Sequence, residues 1–225
     1  AKMREKPHKS GAFLHSDSAE SKATKFGDAV TGDFLASKGE VMRGIGGYHD
    51  ALNLRDLGTG IKMSYPTMGR DEPECRSKIK DFGGADNTSD VIKRFYGDKE
   101  GGVQKAMAHL GIPYRLAQPG KPVTNSLAER ANQDILTGSR TILAAAGLPE
   151  CFWPYVAPYY GTMENLTYRA DGERIYKSWG GLDWKASYIP FGALVDYIPP
   201  ETRKADRRGK WGTNSQPSIF AGYEL

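Results

Sequence analysis

The chain has 225 residues, 39% of them hydrophobic and 26% charged, a balance that suits a globular protein with one substantial core and a smaller appendage. No apolar run approaches the roughly 18 residues a membrane helix needs, the start has no signal-peptide pattern, and Cys75 and Cys151 make neither a disulfide framework nor a zinc site, so two reduced thiols in an intracellular protein are expected. The net charge of +4 is uneven: residues 1–25 hold Lys2, Arg4, Lys6, Lys9, Lys22 and Lys25 against three acids, and residues 199–210 hold Arg203, Lys204, Arg207, Arg208 and Lys210 against two. Basic arms around a near-neutral body rich in carboxylates suit a polyanion partner; solvated chain ends would show the same charges.

Residues 1–24 lack periodicity and read as a basic arm. The chain opens on Ala1 and stops at Leu225 as though cut from something longer. Lys25 to Leu35 reads as a first strand carrying Asp28 and Asp33, whose odd separation points them to opposite faces. Ala51–Leu57 and Ile61–Tyr65 read as a hairpin around Gly58-Thr59-Gly60. Asp71 to Phe82 is helical, with acids and Pro73 in its first turn and Gly83-Gly84 at its end.

Val91 to Tyr96 reads as a strand that delivers Asp98 into a turn. A short helix follows from Val103 to Leu110, then a short strand at Tyr114-Arg115-Leu116 and a Pro-rich loop. The longest helical pattern opens at Asn125-Ser126-Leu127-Ala128-Glu129-Arg130, with a stripe of Ala128, Ala131, Ile135, Gly138, Ile142 and Ala145. Glu129 lies about 100° off that stripe. Residues 150–168 are helix-like, and Pro158 is expected to kink or shorten them. A linker is read over 169–187, and a small all-β unit over 188–225. This order implies a mixed sheet flanked by helices.

One carboxylate at a strand end, another in the first turn of a helix and a third on an earlier strand make a hard-oxygen site for divalent metal, the kind used for in-line phosphoryl displacement. Each residue also has a plainer reading. Asp98 fits an ordinary turn aspartate. Ser126-x-x-Glu129 fits a capping box. Lys99, Lys105, Lys121 and Arg130 fit solvated charges as well as phosphate contacts.

Pro119, Pro122 and the run Asn125-Ser126-Leu127-Ala128-Glu129-Arg130 resemble the P-x-x-P-x-x-N-G-x-x-E-R signature of retroviral and retrotransposon integrases. Leu148-Pro149-Glu150-Cys151-Phe152-Trp153 resembles the L-P-x-x-F-W that follows it in copia-type elements. Phe95-Tyr96-Gly97-Asp98 is similar to the strand ending in that family's second Asp. Pro190 to Val195 and Ile219 to Tyr223 resemble strands of the SH3-like barrel after the core, and Lys2 to Pro7 resembles the basic segment after the family's zinc module.

The resemblance implies a ribonuclease-H-like core over 25–168, a mixed five-stranded sheet flanked by helices, with part of an SH3-like β-barrel at the C-terminus. It implies Asp33, Asp98 and Glu129 as catalytic ligands of two Mg²⁺ or Mn²⁺ ions, with Asp28 as the alternative to Asp33. It further implies 3′-end processing and strand transfer on double-stranded DNA, contacts to DNA from Lys99, Lys121, Asn125, Arg130, Arg203, Lys204, Arg207 and Arg208, a homo-oligomer, a retrotransposon polyprotein origin and work in the nucleus. Lys99 and Ser126 depart from the family pattern, which usually has Asn and Gly there. A catalytically inactive DNA-binding or assembly module that keeps the fold is therefore a second expectation. A nuclease of the same fold acting on RNA in hybrids is a third.

Overall fold

The computed structural model describes residues 23–36, 43–84, 88–116, 126–168, 172–180, 183–199 and 215–223. Strands β1 (Val30–Ala36), β2 (Asp50–Asp56) and β3 (Lys62–Thr67) form an antiparallel meander. Helices α1 (Glu72–Gly83) and one-turn α2 (Thr88–Val91) lead to β4 (Phe95–Gly97); α3 (Gly101–Leu110) leads to β5 (Tyr114–Leu116). Helix α4 (Ser126–Ala146), a 3₁₀ turn at Glu150–Phe152 and α5 (Trp153–Asn165) follow. The sheet order is β3-β2-β1-β4-β5, and β4 runs parallel to both β1 and β5. The fold is thus a mixed five-stranded sheet flanked by helices.

One face of the sheet buries Val30, Leu52, Leu54 and Phe95 against Cys75, Ile79 and Phe82 of α1 and Val103, Ala106 and Met107 of α3. The other face is covered by α4 and α5. Asp71 caps α1 by accepting the Glu74 N–H at 3.0 Å, which adds about 1 kcal/mol of stability in typical cases.

Several boundaries move from the sequence-based ones. The first strand starts at Val30, because residues 25–29 form a turn closed by Asp28. Val91 ends a helical turn and only Phe95 begins the strand; the apolar run there reflects burial of Ile92 rather than extended backbone. Helix α5 runs through Pro158. That proline lies in the second turn and removes only one helical hydrogen bond, while Val156, Ala157 and Tyr159 around it are buried.

The expected C-terminal barrel is not seen: among the described residues there is a two-stranded antiparallel ladder, β6 (Leu194–Tyr197) with β7 (Gln216–Ile219). Phe191, Phe220 and Tyr223 beside it pack on Leu143, Val156 and Tyr159, so this part shares a cluster with α4 and α5. The stretch read as a linker contributes Ile175 and Trp179 to the main core, and the Trp179 indole N–H donates to the Phe82 carbonyl at 3.0 Å.

Candidate metal centre

Register places the first two carboxylates. In the parallel pair β1–β4, Val30 is level with Phe95 and Thr31 with Tyr96. Asp33 lies two residues beyond Thr31 within β1, and Asp98 two residues beyond Tyr96, just after the end of β4, so the shared register carries both acids toward the same end of the strand pair. Both follow a glycine for steric reasons. A Cβ on Gly32 would lie 2.6 Å from the Leu54 side chain, and one on Gly97 2.6 Å from the Tyr114 hydroxyl.

Asp33 is half-buried and firmly held. Its Oδ1 accepts the Phe34 N–H at 2.8 Å and its Oδ2 accepts Nδ2 of Asn132 at 3.0 Å. The Asn132 oxygen in turn accepts Nδ2 of Asn53 at 2.7 Å. Since Asn53 is the cross-strand partner of Asp33, the two asparagines tie β1, β2 and α4 together. Glu129 lies three residues before Asn132, so the pin at Asn132 presents Glu129 from the neighbouring turn of the same helix face.

Burial pushes the Asp33 carboxyl above its ordinary pKa; the charges of Asp98 and Glu129 push it further, while the Phe34 N–H and Arg70 pull it down. The three carboxylates therefore share one electrostatic neighbourhood. The Ser126 side chain lies outside the described residues.

Asp98 is exposed, and its Oδ1 accepts the Lys99 N–H at 2.7 Å. Its carbonyl accepts the Tyr114 hydroxyl and the Glu100 N–H. Burial, then the charges of Asp98, Glu100 and Asp33, hold the Tyr114 phenol protonated well above its usual pKa. Asp28 stands elsewhere. It precedes β1 and accepts the Thr24 and Lys25 N–H groups at 2.9 Å each, which keep its pKa below the ordinary value.

Sequence reasoning missed three polar residues here. Arg70 bonds Asp50 at 2.8 Å and Glu100 at 3.3 Å, and its guanidinium lies 4.8 Å from the Phe34 ring centre. It is the cation that partly offsets the charge on Asp33. Asn53 and Asn132 were missed as well; a polar residue at the i+3 position from Glu129, on the buried face of a helix, was the available signal.

Of the expected DNA contacts, Lys99 and Arg130 are exposed beside Asp98 and Glu129, as is Lys105 on α3. Lys121, Asn125, Arg203, Lys204, Arg207 and Arg208 lie outside the described residues. Among the described residues, no three His, Cys, Asp or Glu side chains stand close enough to hold a metal ion, and no helix is long and apolar enough to cross a membrane. The donor set nonetheless fits a divalent cation by chemistry. It is all carboxylate oxygen, one member is destabilised by its like-charged neighbours, and the nearby Arg70 is already paired.

The sheet order defines an α/β protein in which Asp33 lies within β1 and Asp98 just after the adjacent parallel strand β4. Among solved structures it is similar to the catalytic core domain of BIV integrase, with a TM-score of 0.46 and 10% identity, covering 67% of this chain and 92% of that one. No family model matches the chain, and no curated protein does.

Proposed function

We propose that the chain is an integrase-type polynucleotidyl transferase core acting on double-stranded DNA, from a retrotransposon polyprotein and working in the nucleus as a homo-oligomer. The observation that supports this reading is the parallel pairing of β1, which carries Asp33, with β4, which Asp98 follows, together with the raised Asp33 pKa to which the Asp98 and Glu129 charges contribute. The order of integrase-like motifs along the sequence supports it.

Asp33, Asp98 and Glu129 would hold two Mg²⁺ or Mn²⁺ ions. Such ions would supply activation of a water or 3′-hydroxyl for in-line attack at phosphorus and stabilisation of the leaving oxygen. The chain's own groups set the stage. Asn132 fixes the Asp33 carboxylate, so that acid is pre-oriented rather than free to rotate. The Tyr114 hydroxyl and the Glu100 N–H fix the backbone that carries Asp98. Lys99 and Arg130 flank the acids and would take the phosphates on either side of the reacting one.

The test is strand transfer and 3′-end processing on duplex oligonucleotides with Mn²⁺, for the native chain and Glu129→Gln. The expected result is a rate lower by several powers of ten, each about 1.4 kcal/mol of barrier, with DNA binding retained. Equal rates, or no activity in the native chain alongside intact DNA binding, would favour an inactive assembly module instead. The specific observation behind that alternative is the absence of a closed three-ligand group among the described residues.

A further inference from the structure

A cavity of about 490 Å³ opens at the outer edge of β3, between that strand, the end of α1, α5 and the residues that follow α5. It lies two strands away from Asp33 in the sheet order, and the proposed chemistry does not use it. Its lining carries four aromatic side chains, Tyr65, Tyr176, Trp179 and Tyr223, and one charged side chain, Asp81.

The walls are set in advance. The Tyr176 and Trp179 rings stand at 84° with centroids 6.2 Å apart, making two perpendicular sides. The Trp179 indole N–H is tied to the Phe82 carbonyl at 3.0 Å, and the Tyr176 main-chain N–H to the Asn165 carbonyl at 2.7 Å. The Tyr223 hydroxyl donates to the Ser187 carbonyl at 2.6 Å and accepts the Ile189 N–H at 2.8 Å. Preorganised walls lower the cost of binding because little is left to order.

Ser64 belongs to the lining through the strand, its hydroxyl being sealed from the cavity. The strand edge beside it is otherwise closed. The Asn165 side chain takes both main-chain groups of Lys62, and Pro66 has no N–H to offer. An added β-strand would therefore find too few partners, which leaves a compact ligand as the occupant.

The charge decides the class. Aromatic faces are negative, and the one ionised group on the wall is a carboxylate. Lys78 approaches Asp81 to 3.8 Å from one turn back, with the Asp81 side chain 53% exposed, so the pair is loose. An anion would meet only repulsion from this lining. We propose that the cavity binds an alkylated ammonium group, held by the aromatic walls and Asp81.

The experiment is calorimetric titration of the full chain with choline and with its uncharged isostere 3,3-dimethylbutan-1-ol. The expected preference for choline is about tenfold or more. Asp81→Asn, at an exposed helix position that leaves the fold intact, is expected to weaken choline several-fold, and Tyr176→Leu to weaken it further. Two peptide arms, one bearing trimethyllysine and one its unmodified twin, separate the sources: tight binding of the methylated peptide alone assigns a protein side chain, and choline binding with both peptides inert assigns a free small molecule. Equal binding of the alcohol, indifference to Asp81→Asn, or no binding of any probe overturns the proposal.

Discussion

Replacing Asp98 with Asn should make the protein more stable at neutral pH. The Asp98 charge raises the Asp33 pKa, so the two carboxylates repel, and acids on or just beyond neighbouring strands stand on the order of 5 Å apart at the closest. Two unit charges at that distance repel by about 3 kcal/mol at an effective dielectric near 20, and by less than 1 kcal/mol in bulk water. Asp98 is exposed, which places the pair toward the aqueous end and the expected gain near 1 kcal/mol. The asparagine oxygen can still accept the Lys99 N–H that Asp98 accepts at 2.7 Å, so no hydrogen bond is lost. At this chain length, about 1 kcal/mol corresponds to a rise of roughly 2–4 °C in Tm.

The pH dependence gives the sharper test. Burial first, and the charges of Asp98 and Glu129 next, raise the Asp33 pKa in the folded state. A group shifted that way contributes stability that is fully present below the ordinary aspartate value of about 3.9 and is lost as pH rises through the raised value. The advantage of Asp98→Asn should therefore be small at about pH 3.5, grow as Asp33 ionises, and level off by about pH 7. Thermal unfolding followed by circular dichroism in EDTA, at half-unit steps of pH, reads this directly. A Tm at neutral pH equal to or below that of the native chain would refute the reasoning, as would an advantage that does not change with pH. Adding Mn²⁺ should raise the native Tm more than the variant's, because the metal relieves the repulsion that the substitution has already removed.

The other expectations concern the groups that support the site. Asn132→Ala breaks both bonds of the asparagine relay and leaves Asn53 buried without its partner; a loss of about 1–3 kcal/mol is expected in urea unfolding, with transferase rate falling more than DNA affinity. Gly97→Ala should destabilise the protein because its Cβ would lie 2.6 Å from the Tyr114 hydroxyl, and Tyr114→Phe in the same chain should restore part of the loss; failure of that rescue in a double-mutant cycle would show that the contact is not what excludes the side chain. A thiol titration of the native protein should find Cys151 reactive and Cys75 silent, since burial pushes the Cys75 pKa up to about 12; Cys75 should react only on unfolding.

Much of the architecture was legible because punctuation and periodicity agreed. Asp71, Pro73 and Gly83-Gly84 bracket α1, and Gly58-Thr59-Gly60 marks the β2–β3 turn, where local chemistry alone sets the chain path. Errors arose where burial imitated a strand, as at Val91-Ile92, or where packing overrode a breaker, as at Pro158. The long helix shows the same limit. Its apolar stripe was read through Ile142 and Ala145, whereas the buried face runs through Asn132, Ser139 and Leu143. Hydrophobic patterning does not register a polar residue that is buried because it has a partner, and Asn132 has partners on two strands distant in sequence.

The carboxylates expose a subtler limit. Gly27-Asp28, Gly32-Asp33 and Gly97-Asp98 look alike in sequence, and each glycine has a steric reason: a Cβ would meet the Val91 carbonyl, the Leu54 side chain or the Tyr114 hydroxyl respectively. Tight packing before the acid therefore does not separate a site residue from a turn residue. What distinguishes them is the parallel register of β1 with β4, a contact between residues more than sixty positions apart that carries Asp33 and Asp98 toward the same end of the sheet and leaves Asp28 capping its own turn. Parallel pairing of this kind requires a crossover and has no short-range signature. A sequence can thus nominate both aspartates for the first position, and the pairing of β1 with β4 is what leads the proposed function to take Asp33.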